Sequence, residues 1–335
     1  METALTRDAG ITIPVVCGAM YPCSNPELVG AVSAAGALGI VQPISLTYVH
    51  GHDFRTGLRH IRALAGGRPI GLNALIEASA RRYHERMVQW VDEALEEGVR
   101  FFVTSLGNPH WVCRRVQAAG GVVYHDVTEA KWARKAVDAG CNGLIGVNAR
   151  AGGHAGTRTA ETLYDELAPF GLPLVCAGGI GDVEDYRWVR ALGYAGVQMG
   201  TRFIATPECS AHARYKQGIV DAGARDIVLT ERLTGVPVAV INTPYIQRIG
   251  LRAGPLARYL LRGPRTKKWM RTLFAARSIL SLKRSSARGD AARDYWQAGQ
   301  SVASIHAIEP VEVILARFRD ADAPPACATR PDTPG

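Results

Sequence analysis

No apolar run in this chain approaches the roughly 20 residues that a helix needs to cross a bilayer, and no N-terminal stretch joins a basic flank to an apolar core and a cleavage site. A cytoplasmic protein without a transmembrane segment is the expectation. Cysteine is sparse and irregular: Cys17, Cys23, Cys113, Cys141, Cys176, Cys209 and Cys327 form an odd set without paired metal-ligand spacing. That pattern argues against a disulfide framework or a zinc site, so reduced, mostly buried thiols and no bound metal are expected. Acidic residues are nearly missing from one stretch. Between Arg248 and Arg293 there are 13 Lys or Arg against one acid, Asp290, so that a chain of net charge +9 is slightly negative outside this segment. Such a segment attracts phosphate-bearing ligands, nucleic acid or an anionic membrane, or is only the solvated face of helices. The solvated face is the commoner origin, and no nucleic-acid partner is expected.

What is present is a chain of 335 residues, 47% hydrophobic and 21% charged, enough for a sizeable core. Eight short apolar runs alternate with longer amphipathic segments: 13–17, 38–41, 70–73, 101–104, 122–125, 144–147, 174–177 and 195–199. Runs that are apolar on both faces and rich in Val, Ile and Leu suit parallel strands covered on each side, with the intervening lengths right for crossover helices. Glycine recurs before each new run, at Gly36, Gly98, Gly120, Gly140 and Gly193, where helices should stop. The fold class predicted is α/β, a (β/α)8 TIM barrel with an appended C-terminal helical segment. Residues 10–225 and 295–320 should form the barrel, 226–294 a basic helical insertion near its mouth, and 321–335 a flexible tail.

Chemistry in such a barrel gathers at the C-terminal ends of the strands. After the sixth run comes Ala151-Gly152-Gly153-His154-Ala155-Gly156, one imidazole among small residues. This composition leaves room for a planar ligand beside a positioned base, and a neutral imidazole near its ordinary pKa of about 6.5 suits proton abstraction. A loop histidine packed beside glycines is the plainer reading. The seventh run ends in Ala177-Gly178-Gly179-Ile180 and the eighth in Met199-Gly200-Thr201-Arg202. Either could be a tight turn; together, at the two strand ends where the fold commonly holds phosphate, they predict an anion site, with Thr201 adding a hydroxyl.

These three segments, with the extension Val197 to Cys209, resemble the hallmark motifs of nitronate monooxygenases, formerly called 2-nitropropane dioxygenases. Pro14 to Met20, Pro26 to Gly39 and Ala298-Gly299-Gln300 are similar to that family as well. The resemblance implies a barrel carrying FMN, with His154 as active-site base. Ring contacts would come from Gly18, Ala19, Met20 and Asn73, and phosphate would be held by Gly178, Gly179, Gly200 and Thr201. Gly153, Ala177 and Met199 complete the implied cofactor set, while Arg150, His125 and Gln300 are the candidates for substrate contact.

The chain departs from the pattern in places. Members commonly carry Gln-Gly-x-Glu before the glycines, where this sequence reads Val147-Asn148-Ala149-Arg150; a cation there favours an anionic substrate. Asp126 stands where some quinone-reductase members have lysine. Two enzymatic readings follow from the resemblance. In one, alkyl nitronates or nitroalkanes are oxidised with O2, His154 taking a proton from the carbon beside the nitro group. In the other, NADH or NADPH reduces the FMN, which then reduces an enone, a quinone or an enoyl thioester, the basic segment binding the phosphates of coenzyme A or a carrier arm. A protein that binds flavin or a membrane surface without turnover is the third reading. A homodimer is admitted by all of them.

Overall fold

The computed structural model describes residues 2–77, 81–254 and 280–322. Eight parallel strands close on themselves in sequence order, β1 (Val15–Cys17), β2 (Leu38–Val41), β3 (Ile70–Leu75), β4 (Phe101–Ser105), β5 (Val122–Val127), β6 (Gly143–Val147), β7 (Leu174–Ala177) and β8 (Gly196–Met199), with β8 pairing back to β1. Each coincides with one of the eight apolar runs, within two residues at either end. Helices follow the strands as expected, among them Pro26–Ala34, Arg81–Glu96, Ala130–Asp138 and Val183–Ala191.

Residues on each strand alternate between an inner and an outer face. Val16, Leu38, Ile40, Phe101, Val103, Tyr124, Ile145, Val175 and Ala177 form one buried cluster, the barrel interior. Their sequence neighbours, such as Cys17, Phe102, Val123, Leu144 and Cys176, belong to a second cluster between sheet and helices. Strand pairing extends this phase to the polar positions. Asn73 is paired with Val103, and Gln198 with Ala177, so both share the inner face.

The bottom of the barrel is sealed by the short helix Ala4–Ala9, started by a capping box between Thr3 and Thr6. Its Leu5 and Ala9 enter the inner cluster. The six described cysteines are buried free thiols. No described helix is long and apolar enough to cross a membrane, and among the described residues no cluster of His, Cys, Asp or Glu is arranged to hold a metal ion.

Part of the expected helical insertion over 226–294 is corrected. It opens with an antiparallel pair, β9 (Ile227–Thr230) and β10 (Val238–Ile241), before the helix Pro244–Ile249. The β-branched residues Ile227, Val228 and Thr230 on one side and Val236, Val238 and Val240 on the other, with Gly235 in the turn between them, favour a hairpin over a helix. The basic stretch 255–279 lies outside the described residues. At the C-terminus, the final helix Val311–Asp322 takes in 321 and 322, so the expected tail begins later than 321; 323–335 lie outside the described residues.

Candidate active site

The loop from Asn148 to Thr159, between β6 and the next helix, is fastened on three sides. Asn148 is buried and acts as its main anchor. Its Nδ2 donates to the Gly178 carbonyl at 2.8 Å, its Oδ1 accepts from the Arg150 N–H at 2.8 Å, and its own N–H donates to the Ala177 carbonyl at 2.9 Å. Gly178 has φ +113, and a Cβ there would lie 2.5 Å from Asn148 Oδ1 and 2.6 Å from the Ala151 nitrogen. Only glycine lets the β6 and β7 loops approach so closely.

A second fastening comes from the hairpin. The Ala239 N–H of β10 donates to the Gly153 carbonyl at 2.7 Å, beside the histidine. The third comes from the far end of the chain. Gln300 donates its N–H to the Arg150 carbonyl at 2.9 Å, and Gly299 packs so tightly on Gly152 that a Cβ on Gly299 would lie 2.6 Å from the Gly152 nitrogen. Gln300 thus reaches the site, through its backbone.

His154 is exposed at the mouth that this scaffold creates, and among the described residues its ring has no hydrogen-bond partner. The surrounding protein still strips enough water from the ring to lower its pKa below the ordinary histidine value. Near neutral pH the imidazole is therefore uncharged and able to accept a proton.

The other cofactor candidates converge on the same rim. Gly18 donates its N–H to the Met199 carbonyl at 3.0 Å, and Met20, whose N–H is held by Ser24 Oγ at 2.8 Å, lies against Gly200. Ala19 is partly buried against the inner cluster. Asn73 is buried on the inner face of β3. Thr201 is buried, and its Oγ1 accepts the Gly299 N–H at 3.0 Å, which leaves the hydroxyl proton available as a donor. At the β7 end, Gly179 has φ +80, and a Cβ there would lie 2.7 Å from Arg150 Nε. The guanidinium therefore rests on the anion loop itself, 3.8 Å from the nearer Asp185 oxygen. Among the described residues, the N–H groups of Gly179 and Ile180 donate to no other group of the chain.

His125 does not join them. It follows the outer phase of β5, its Nδ1 is 2.8 Å from Thr104 Oγ1, and burial lowers its pKa to about 4. It is a neutral packing residue between sheet and helices, and the expected substrate contact is corrected. Its neighbour Asp126 takes the inner position instead, paired with Ile145. The Asp126 carboxyl is pushed up to about 7 by burial, against a hydrogen bond from the Gln198 side chain on β8 that favours its ionised form. Asp126 Oδ1 and Gln198 Oε1 are both sealed from solvent and, among the described residues, have no hydrogen-bond partner. Asn148, Gln198 and β10 were not singled out as site elements from sequence. An asparagine directly after an apolar strand was the available signal for the first.

A model of the nitronate monooxygenase family matches residues 2–319. The chain belongs to the nitronate monooxygenase family. Like its relatives there, it is an oxidoreductase. Over 262 residues it is 31% identical to a Mycobacterium tuberculosis protein named (3aS,4S,5R,7aS)-5-hydroxy-7a-methyl-1-oxo-octahydro-1H-indene-4-carboxyl-CoA dehydrogenase, covering 77% of this chain and 70% of that protein. It is 28% identical to the nitronate monooxygenase of Pseudomonas aeruginosa, covering 70% of this chain and 78% of that protein. Among solved structures, FabK from Thermotoga maritima superposes with a TM-score of 0.78 at 28% identity, over 96% of each chain.

The FMN that this family implies can be tested against the residues present. Free N–H groups at Gly179 and Ile180, the Arg150 guanidinium over that loop, and the Thr201 hydroxyl suit a phosphate. Unpartnered polar oxygens under the mouth suit the polar edge of a flavin ring. The residues fit the group.

Proposed function

We propose that this protein binds FMN across the C-terminal rim of the barrel and oxidises a coenzyme A thioester, with His154 as the proton-accepting group. The carrying observation is the neutral imidazole of His154, without a partner among the described residues, on a loop tied to β7, β10 and the Ala298–Gln300 segment. A base held this way need not be reorganised when substrate arrives. The rim glycines, Arg150 and Thr201 would hold the phosphate, and Asn73, Ala19 and Met20 the ring side. Bound FMN would supply the electron acceptor. His154 Nε2 or Nδ1 would take a proton from the carbon activated by a neighbouring carbonyl, and the surrounding backbone would orient that carbon.

The thioester is favoured over a nitronate by two observations. Two relatives at 31% and 30% identity carry names ending in carboxyl-CoA dehydrogenase. Lys283, from the described end of the basic segment, donates its Nζ to the Tyr48 carbonyl at 2.9 Å, beyond the β2 end. Lysine and arginine near that end suit a substrate bearing several phosphates. Oxidation of an alkyl nitronate with O2 is the second reading, favoured by the family match and by the same base. NADH or NADPH as electron donor is the third possibility to be tested.

An anaerobic titration of the FMN-loaded protein separates them. Bleaching by a hydroxyacyl- or saturated acyl-CoA supports the proposal; bleaching by nitronate alone replaces it with the second reading; bleaching by NADH or NADPH with no effect of either substrate makes the enzyme a reductase.

A further inference from the structure

Asn73 on β3, Asp126 on β5 and Gln198 on β8 are large polar side chains on a mostly apolar barrel interior. All three occupy the top of the inner face. Below them lie Val103, Tyr124, Ile145 and Val175, so the one direction in which a polar group there can meet a partner from outside is the mouth. Asp126 retains some exposed surface while its Oδ1 is sealed and unpartnered, and Gln198 Oε1 shares that condition. Buried oxygens of this kind carry a desolvation penalty unless a proton or a donor reaches them. Natural chains seldom keep two of them together without use.

We propose that Asp126, backed by Gln198, presents a neutral carboxylic acid to the ring of the bound flavin, as a hydrogen-bond donor set into the floor of the site. This rests on the FMN reading. The geometry makes Asp126 a ring contact and excludes a phosphate contact, because the anion loops belong to β7 and β8 while Asp126 projects from β5 into the centre of the barrel. The groups facing it are Ser105 on β4 and Val147 on β6, which follow the same inner phase, and Gln198 across the barrel. No charged side chain is among the influences on its carboxyl; burial and the Gln198 hydrogen bond are the two, and burial is the larger. Loss of the proton replaces a donor by a second acceptor beside Gln198 Oε1. The site then holds the ring less well and presents it with a negative charge.

The test is FMN and riboflavin binding to the apoprotein, followed by quenching of flavin fluorescence from pH 5.5 to 8.5, for the native chain, Asp126→Asn and Asp126→Leu. Native affinity for both flavins is expected to fall about tenfold as pH rises through neutrality, the size of one hydrogen bond. Asp126→Asn, which keeps a donor and cannot ionise, should bind with native strength at low pH and show no such fall. Asp126→Leu should bind both flavins about tenfold more weakly at low pH, equally for FMN and riboflavin. A packing role alone would leave the native pH profile unchanged in Asp126→Asn. Native-strength binding by folded Asp126→Leu, or the same pH profile in Asp126→Asn, would overturn the inference while leaving the FMN reading standing. A native chain that refuses both flavins would overturn the two together.

Discussion

The two ends of this barrel are built from the same strands by opposite rules. At the bottom, polar groups are matched and space is filled: Leu5 of the first helix enters the inner cluster and presses on Gly196, and Tyr124 donates its hydroxyl to Asp8 Oδ2 at 2.8 Å. At the top, space is opened by glycines and polar atoms are left over: among the described residues His154 is unpaired, Asp126 Oδ1 and Gln198 Oε1 are unsatisfied, and the Gly179 and Ile180 N–H groups have no acceptor. A fold of this class confines its chemistry to one end, and here the confinement is visible as a difference in hydrogen-bond completeness. Satisfied ends stabilise; unsatisfied ends bind.

The sharpest way to break the comparison is to remove the unpaired imidazole. His154→Ala is expected to lower kcat/KM by about 10²–10⁴-fold, the usual span for a positioned acid or base, with unfolding temperature and FMN affinity nearly unchanged. Turnover within threefold of native would mean that the top end works without this base. Next in size is Leu5→Ala at the bottom. Opening a cavity under the inner cluster should destabilise the fold by about 2–5 kcal/mol, read from urea unfolding, and leave FMN binding by the folded fraction intact.

How much of this contrast is legible in the sequence depends on which force sets each feature. The eight strands and the glycine rims follow from local composition, so β2 and β7 begin and end where their apolar runs do. The phase of a strand covered on both faces is another matter. In Val122-Val123-Tyr124-His125-Asp126 nothing local says whether His125 or Asp126 looks inward, since both neighbours of each are apolar or aromatic or polar in no period. Pairing with Ile145 decides it for Asp126, and the histidine expected at the pocket becomes an outer packing residue. Asn148 and β10 were missed for a related reason. Their roles are long-range, joining β6 to β7 and 153 to 239, and no spacing within either segment encodes a partner so far away.

Asp126 offers an intermediate effect with a definite sign. Its carboxyl titrates near 7 in the folded chain against an ordinary value of 3.8, so the folded state holds the proton more tightly. The stability conferred by that proton is present in full below about pH 3.8, falls as pH rises through the window up to 7, and is gone above it. Asp126→Asn lacks this decline. At pH 8 it should be more stable than the native chain by about 1–3 kcal/mol, less than the full shift implies because the side chain is partly exposed and retains some hydration. A gap between the two urea midpoints that is already opening at pH 5 and is wider at pH 8 would confirm the sign; a gap that closes with rising pH would reverse it.

The smallest effect is the one that most directly asks whether the ends are independent. Tyr124 and Asp126 are two residues apart on the inner face of β5, about 7 Å along the strand, yet the first serves the seal and the second the mouth. Burial, and then the hydrogen bond to Asp8, hold the Tyr124 hydroxyl well above its usual pKa, so it donates at any pH at which the protein is folded. Tyr124→Phe removes that donor without opening space in the apolar cluster around the ring. The expected loss is about 1 kcal/mol, since Asp8 is near enough to the surface for water to replace the hydroxyl. Flavin affinity and its pH profile should be unaffected, because the Tyr124 hydroxyl is turned to Asp8 and neither group is among the influences on the Asp126 carboxyl. If Tyr124→Phe shifted the flavin profile as Asp126→Asn is expected to, the seal and the mouth would be one hydrogen-bonded system, and the division between a stabilising and a binding end would fail at this strand.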